Sequence, residues 1–388
     1  MELKSIDQVK FFPKQRVLLR VDFNVPLKNK KVIDDFKIIQ TLPTIKFLLK
    51  KKVQIIIVSH LGRPSRPTPV LSLKPVSEYL AKLLATKITF TSLEKLEKNT
   101  RSTDGVYFLE NIRFHKEEEK NTKNFAKRLA NLADSMVLDG FGVSHRSAAS
   151  IVGVAAFLPT YAGLLLSAEI TGLNRVLEKP RKPFVVVLGG AKMETKIPML
   201  KRLAPLADYI LVGGGLANTY YLSEGYRIGT SLVEKKFIAE MRALGKNKKI
   251  IFPVDAVYGT EGGKKVGVTT RENRFKLPGQ SLGFYDIGPK TIQLFAKYLR
   301  KAETIVWNGA LGFFEQRPYH FGTYAIAQAI AARAKGRAFG VAGGGETVEV
   351  IKKLGLLKQI DLVSTGGGAM LEFLSGAHLP GVTVVTKK

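Results

Sequence analysis

Residues 183–196 read PFVVVLGGAKMETK: a proline, five apolar residues, two glycines and then a charged stretch. Phe184–Leu188 has no polar face, as expected of a strand covered by helices on both sides of a parallel sheet. Gly189 and Gly190 stop it, and a helix is expected to begin near Met193. The same alternation extends outward. Before this stretch come the apolar runs Val17–Val21, Val53–Val58, Val106–Leu109 and Met136–Leu138. After it come Tyr209–Val212, Ile250–Pro253, Thr304–Trp307, Ala338–Ala342 and Leu362–Ser364. Between them lie helical stretches such as Leu42–Lys50 and Tyr324–Ala334. The pattern predicts an α/β protein of two doubly wound, Rossmann-like parallel-sheet domains. A single eight-stranded barrel would need one closed cycle, and the chain changes character near residue 160. The boundaries fall at 1–158 for the first domain, 159–180 for a connector and 181–375 for the second. The connector is the helical run Tyr161–Leu177, closed by Lys179-Pro180-Arg181-Lys182-Pro183.

Composition narrows the chemistry. In 388 residues there is no cysteine, which excludes disulfides, thiolate nucleophiles, Fe–S clusters and cysteine-bound zinc. The five histidines show no metal-ligand spacing. MELKSIDQVK carries no apolar signal run, and Ile151–Ala168 is interrupted by Pro159, Thr160, Tyr161 and Gly163. A cytoplasmic protein without a membrane partner is expected. The net charge is +29, divided as +13 over residues 1–150 and +16 over 151–388. Such a chain attracts polyanions or phosphorylated small molecules. No stretch alternates basic with aromatic residues, so a nucleic-acid partner is not expected.

In the first half, strands end in charged and polar side chains. Arg20, Asp22 and Asn24 follow one another, and Ser59-His60-Leu61-Gly62-Arg63-Pro64 ends the next apolar run. Glu110-Asn111-Ile112-Arg113-Phe114-His115 and Ser144-His145-Arg146 repeat the arrangement. Helix caps account for any one of these endings, but not for Arg or His at four of them. Guanidinium groups grip phosphate and carboxylate through paired hydrogen bonds, so an anion pocket is predicted.

In the second half, strands end in glycine: Gly189-Gly190, Gly213–Gly215, Asn308-Gly309, Gly343–Gly345 and Gly366–Gly368. A helix starting near Met193 would place Lys192 at its mouth and Lys196 one turn in, where bare amides and two ammonium groups make a phosphate cradle. Neither the P-loop nor the dinucleotide fingerprint is present. Glu346 and Thr347 after a triple glycine suit a nucleotide-bound Mg²⁺ and equally suit a helix cap.

These residues lie in strings that resemble the phosphoglycerate kinase family along nearly the whole chain. The strings are RVDFNVP (20–26), SHLGRP (59–64), LENIRFHKEE (109–118), SHRSAASIVG (144–153), GGAKMETKI (189–197), GGGLANTYY (213–221), VWNGALGFFE (306–315), GGGET (343–347) and STGGGAMLEFLSG (364–376). The resemblance implies two α/β domains joined by a hinge helix, with residues 376–388 returning to the first. It implies reversible phosphoryl transfer between MgATP and 3-phosphoglycerate, giving 1,3-bisphosphoglycerate and MgADP, by a monomer. Carried over residue by residue, it gives phosphoglycerate to Asp22, Phe23, Asn24, Lys37, His60, Leu61, Gly62, Arg63, Arg113 and Arg146. It gives the nucleotide to Lys196, Gly213, Gly214, Asn308, Glu315, Gly343, Gly344, Gly345, Glu346 and Thr347, with Mg²⁺ on Glu346. The catalytic cations are then Lys37, Arg146, Lys192 and Lys196. Two departures stand out: Lys37 replaces the family's arginine and Glu346 its magnesium-binding aspartate. Ala148, Ala310 and Met370 also differ from the residues common in the family.

The chemistry agrees with the residues that are missing. A carboxylate attacking a γ-phosphoryl group is ionised at pH 7 and needs no general base. Alignment and charge neutralisation remain, which is work for lysine, arginine, Mg²⁺ and helix ends. An acyl phosphate is prone to hydrolysis, so closure that expels water is expected. Two other activities fit the composition: nucleic-acid binding on this scaffold, from the +29 charge, and a related kinase with another acceptor, from Lys37.

Overall fold

The computed structural model describes residues 2–98 and 105–387. They divide into two compact units, residues 1–171 with 378–388 and residues 172–377. In the first unit the strands are β1 (Arg16–Val21), β2 (Gln54–Val58), β3 (Ile88–Thr91), β4 (Val106–Leu109), β5 (Ser135–Asp139) and β6 (Thr160–Ala162). They form one parallel sheet in the order β3-β4-β2-β1-β5-β6. In the second unit they are β7 (Phe184–Leu188), β8 (Tyr209–Val212), β9 (Ile250–Ile251), β10 (Thr304–Asn308), β11 (Phe339–Gly343) and β12 (Leu362–Val363). These are again all parallel, in the order β9-β8-β7-β10-β11-β12. The doubly wound fold expected from the apolar runs is therefore present.

The apolar runs explain the cores. All five residues of β7 are 0% exposed, and each such side chain contributes roughly 1.5–3 kcal/mol by leaving water. Val17, Leu19, Val21, Ile55, Ile57 and Phe108 form the first core with helix α1 (Phe36–Lys50). Val185, Val187, Ile305, Trp307 and Ala342 form the second.

Three elements differ from the sequence expectation. Strands β3 and β6 are short and threonine-bearing, without a long apolar run. Asp255–Gly259, Gly267–Thr270 and Gly283–Ile287 form an antiparallel sheet whose members mix buried and half-buried residues without a regular alternation. Tyr161 belongs to β6, and the connecting helix α2 begins at Leu164 and runs to Glu178.

The start of α2 is closely fitted to the first sheet. Asp139 ends β5, is 0% exposed, and its Oδ1 accepts the Leu166 amide at 3.0 Å. Thr44 Oγ1 accepts the Leu164 amide at 2.9 Å. A Cβ at Gly163 would lie 2.2 Å from Asp139 Oδ1, so only glycine allows this approach. The two units divide within this helix, between Thr171 and Gly172. Residues 378–387 belong to the first unit: Lys4 donates to the Val385 carbonyl at 2.7 Å and Gly381 to the Ser144 carbonyl at 2.8 Å.

Candidate functional site

In open parallel sheets, ligands bind beyond the carboxyl ends of the strands where strand order reverses. In the first unit that point is the end of β1, flanked by β2 and β5, with Arg20 level with Val58 and Val21 level with Asp139. The next residues of each strand therefore meet. Lys37, in the first turn of α1, places Nζ 2.7 Å from Asp22 Oδ2. His60 Nδ1 lies 4.0 Å from Asp22 Oδ1 and 3.5 Å from Arg20 Nη2. Burial alone would push the Asp22 carboxyl up, but Lys37, His60 and Arg20 together hold it at about 2. Burial and the surrounding Arg20, Arg113 and Lys37 hold His60 well below the ordinary imidazole range, against the pull of Asp22.

Three guanidinium groups crowd the same place. Burial lowers the Arg20 pKa first and Arg146 adds to that effect, while Glu118 and Asp22 oppose it. Arg113 is lowered by burial, then by Arg146, with Glu119 opposing. Like charges held together in a poorly hydrated site are the electrostatic form of an anion pocket. Arg113 Nη1 donates to the Gly62 carbonyl at 2.6 Å, and its Nε lies 3.3 Å from Glu119. Asn24 Oδ1 accepts the Gly62 amide at 2.9 Å. Arg63 is exposed and makes no hydrogen bond or ion pair among the described residues. The Phe23 side chain lies in the core against Phe108, with ring centroids 6.1 Å apart, so only its backbone faces this region.

In the second unit the reversal falls between β7 and β10, and backbone builds the walls. Gly189 lies so close to Ala310 that an added Cβ would come within 2.0 Å of the Ala310 carbonyl oxygen. Gly309, at φ +88°, would place a Cβ 2.3 Å from the Gly189 carbonyl oxygen and 2.7 Å from Lys196 Nζ. The Gly309 amide donates to Thr347 Oγ1 at 2.7 Å, and Asn308 Nδ2 donates to the Gly343 carbonyl at 2.7 Å. A cavity of about 400 Å³ opens here between Gly190, Gly214, Gly215, Leu311, Phe313 and Glu346. That is the size and apolar character of a small-molecule site.

The helix α3 (Met193–Leu203) begins where the sequence placed it. Lys192 is exposed at its start, and Lys196 is 6% exposed. Burial lowers the Lys196 pKa and Lys192 adds to this, while Glu346 and Glu234 oppose it. The expected row of bare amides needs correction. Met193 donates to Glu234 Oε1 at 2.8 Å, and the Glu234 amide is held by Thr219 Oγ1 at 3.2 Å. A carboxylate from a remote segment thus occupies part of the positive helix end.

Glu346 lies in the first turn of the helix Gly345–Lys353, and its Oε2 accepts one bond, from the Ala310 amide at 3.3 Å. Glu315 is exposed; partial loss of hydration at its carboxylate raises its pKa, and the nearby Glu346 and Glu349 add to this. Among the described residues no three His, Asp or Glu side chains gather to hold a metal. A nucleotide-borne Mg²⁺ requires only one or two carboxylates beside phosphate oxygens, and the lightly engaged Glu346 fits that requirement.

Two residues with clear structural roles were absent from the sequence-derived site. Glu234 is one, and the fully buried Asn111 is the other. Glu234 acts on backbone far away in sequence, and Asn111, whose Oδ1 also accepts the nearby Arg113 amide, reads locally as no more than a helix cap.

Among the described residues, no helix is long and apolar enough to cross a membrane. The sequence profile of the phosphoglycerate kinase family matches residues 6–377. A phosphoglycerate kinase from Pelotomaculum thermopropionicum is 43% identical over 390 residues, covering 96% of this chain and 97% of its own. One from Dictyoglomus turgidum is 44% identical over 385 residues, covering 96% of each. The solved phosphoglycerate kinase of Coxiella burnetii superposes with TM-score 0.88 at 38% identity, covering 99% of both chains. That of Pyrococcus horikoshii gives 0.85 at 30% identity, covering 98% of both. Full-length agreement in sequence and in fold leaves one conclusion: the chain belongs to the phosphoglycerate kinase family, whose members move a phosphoryl group between ATP and the carboxylate of 3-phosphoglycerate.

Proposed function

We propose that the two ends of this reaction are divided between the two units, with 3-phosphoglycerate in the first and the nucleotide in the second. The observation that carries the division is the contrast in charge. Arg20, Arg113 and Arg146 repel one another around Asp22 and His60, whereas the cavity of the second unit is lined by glycine, apolar residues and the carboxylates Glu261, Asp286, Glu315 and Glu346, with no cation among its lining residues. Arg63, Arg113, Arg146, His60 and Asn24 bind the phosphoglycerate, and Asp22 holds Lys37 in place. Gly213, Gly214 and Gly343–Gly345 admit the nucleotide closely, with Asn308 and Thr347 fixing the backbone around them and Glu315 at the rim. Glu346 would hold Mg²⁺, which supplies charge neutralisation on the phosphate chain. Lys192 and Lys196 neutralise the transferring group from the nucleotide side, and Lys37 and Arg146 do so from the acceptor side. The protein works as a cytoplasmic monomer whose units approach one another when both ligands are bound.

Calorimetric titration of single variants tests the division. Arg63→Ala should weaken 3-phosphoglycerate and leave ADP unchanged, and Lys196→Ala should do the reverse. A variant that weakens both ligands equally would defeat the assignment. Small-angle scattering should give a smaller radius of gyration with both substrates than with either alone.

A further inference from the structure

Asn111 lies two residues after the end of β4 and is 0% exposed. Its Oδ1 accepts the amides of Leu61 and Arg113, each at 3.2 Å. Its Nδ2 donates to the carbonyls of Leu61 at 2.8 Å and Leu71 at 2.9 Å. One buried side-chain amide thereby uses its full capacity of two donors and two acceptor positions. Both backbone groups of Leu61 are tied, and Leu61 lies between His60 and the Gly62-Arg63 turn. The same amide fixes the start of the segment that carries Arg113. Behind it, Glu110 accepts from Ser72 Oγ at 2.6 Å and from the Leu73 amide at 2.9 Å, so the anchor itself is braced.

The front of the same loop is held differently. Gly62 is gripped by Asn24, an exposed residue, and by Arg113, both of which face the proposed ligand. An anion recruits donors, so its arrival would turn the Asn24 Nδ2 and the Arg113 guanidinium toward it and reorient the groups that hold Gly62. The rear contacts face only protein and have no competing ligand. We propose that Asn111 is a positioning residue for 3-phosphoglycerate: it holds the 59–63 loop and Arg113 in register while Asn24 and Arg113 change partners on binding. The inference rests on placing phosphoglycerate in the first unit.

The test uses the full-length enzyme. Asn111→Ser should weaken 3-phosphoglycerate about 10- to 100-fold in calorimetry without nucleotide, since small misplacements of positioning groups cost that much. ADP affinity should stay within about twofold, and KM for phosphoglycerate should rise more than kcat falls. A residue that merely supports the fold would lower the unfolding midpoint without this selective change. Unaltered 3-phosphoglycerate affinity in Asn111→Ser, beside weakened affinity in Arg63→Ala, overturns the role of Asn111. Unaltered affinity in both variants overturns the site placement, and the inference with it. Hydrogen exchange on the wild-type enzyme decides the matter even if Asn111→Ser does not fold. The Leu61 amide should stay protected with and without 3-phosphoglycerate, while protection of the Gly62 amide changes. Rapid exchange at Leu61 in either state, or an unchanged Gly62, counts against the proposal.

Discussion

The two units end their central strands in opposite ways. At β1, β2 and β5 the chain supplies long charged side chains that hold one another through partners such as Lys37–Asp22 and Arg113–Glu119. At β7 and β10 it supplies glycine backbone packed so closely that a methyl group has no room. A side-chain site is adjustable: its charges are tuned by burial, its contacts exchange, and it responds to pH. A backbone site is fixed by shape and fails by collision. A reaction that must recognise a small, highly charged acid and a larger nucleotide has use for both.

The largest expected effect tests whether buried charge governs the first unit. Burial raises the Asp139 carboxyl to about 7, against the stabilising hydrogen bonds of Thr44 and the Leu166 and Leu165 amides. Unfolded, an aspartate titrates near pH 3.9. The folded state therefore holds the proton more tightly. Its contribution to stability is full below about pH 4 and is lost as pH rises to about 7, a change of about 4 kcal/mol. Denaturant unfolding of Asp139→Asn should lack this downward slope. Parallel pH curves for the two proteins would show that Asp139 ionises freely.

Next in size is Lys37. Its contact with Asp22 fixes it at the first turn of α1, where the family places an arginine. Lysine offers a point charge where arginine offers a planar fork. Removing a group that acts mainly in the transition state typically costs about 10²–10³ in kcat, near 3–4 kcal/mol. Lys37→Ala should lose that much with little change in nucleotide KM, and Lys37→Arg should keep or raise activity. Retention of a third or more of kcat in Lys37→Ala would assign the catalytic cation elsewhere.

For the backbone site, Gly309→Ala is the sharpest probe, because the new methyl would strike the Gly189 carbonyl and Lys196 at a positive φ. Overpacking of this kind costs about 1–3 kcal/mol. ADP binding should fall while 3-phosphoglycerate binding stays intact, and an unaffected ADP affinity would mean that this wall yields. The smallest effect concerns Glu346. Glu346→Gln should raise the Mg²⁺ concentration giving half-maximal rate, with phosphoglycerate KM unchanged; an unmoved Mg²⁺ dependence would leave Glu346 as no more than an acceptor for Ala310.

Strands such as Phe184–Leu188 were legible because burial on both faces requires an unbroken apolar run. Thr160–Ala162 was not, since three residues carry too little periodicity, and what makes them a strand is pairing with Met136–Leu138, more than 20 residues earlier in the chain. In the site, Arg63, Arg113 and Arg146 announce themselves as charge placed after apolar strands. Asn111 reads only as a local cap for the Arg113 amide, because its other partner, Leu61, lies 50 residues away. The capping of α3 by Glu234 is equally silent, since a glutamate 41 residues downstream looks like one more surface charge.

The strap formed by residues 378–387 bears on the order in which a ribosome can finish this protein. Gly381 lies against the Ser144 backbone, where an added Cβ would come within 2.9 Å of Ser144 Cα, and Leu3 bridges to Thr386. The turn that leads to Arg146 is thus buttressed by chain that emerges only after the entire second unit. Translation delivers the first unit first and completes it last, so the nascent first unit must wait, unfinished, while the second unit is made and folds.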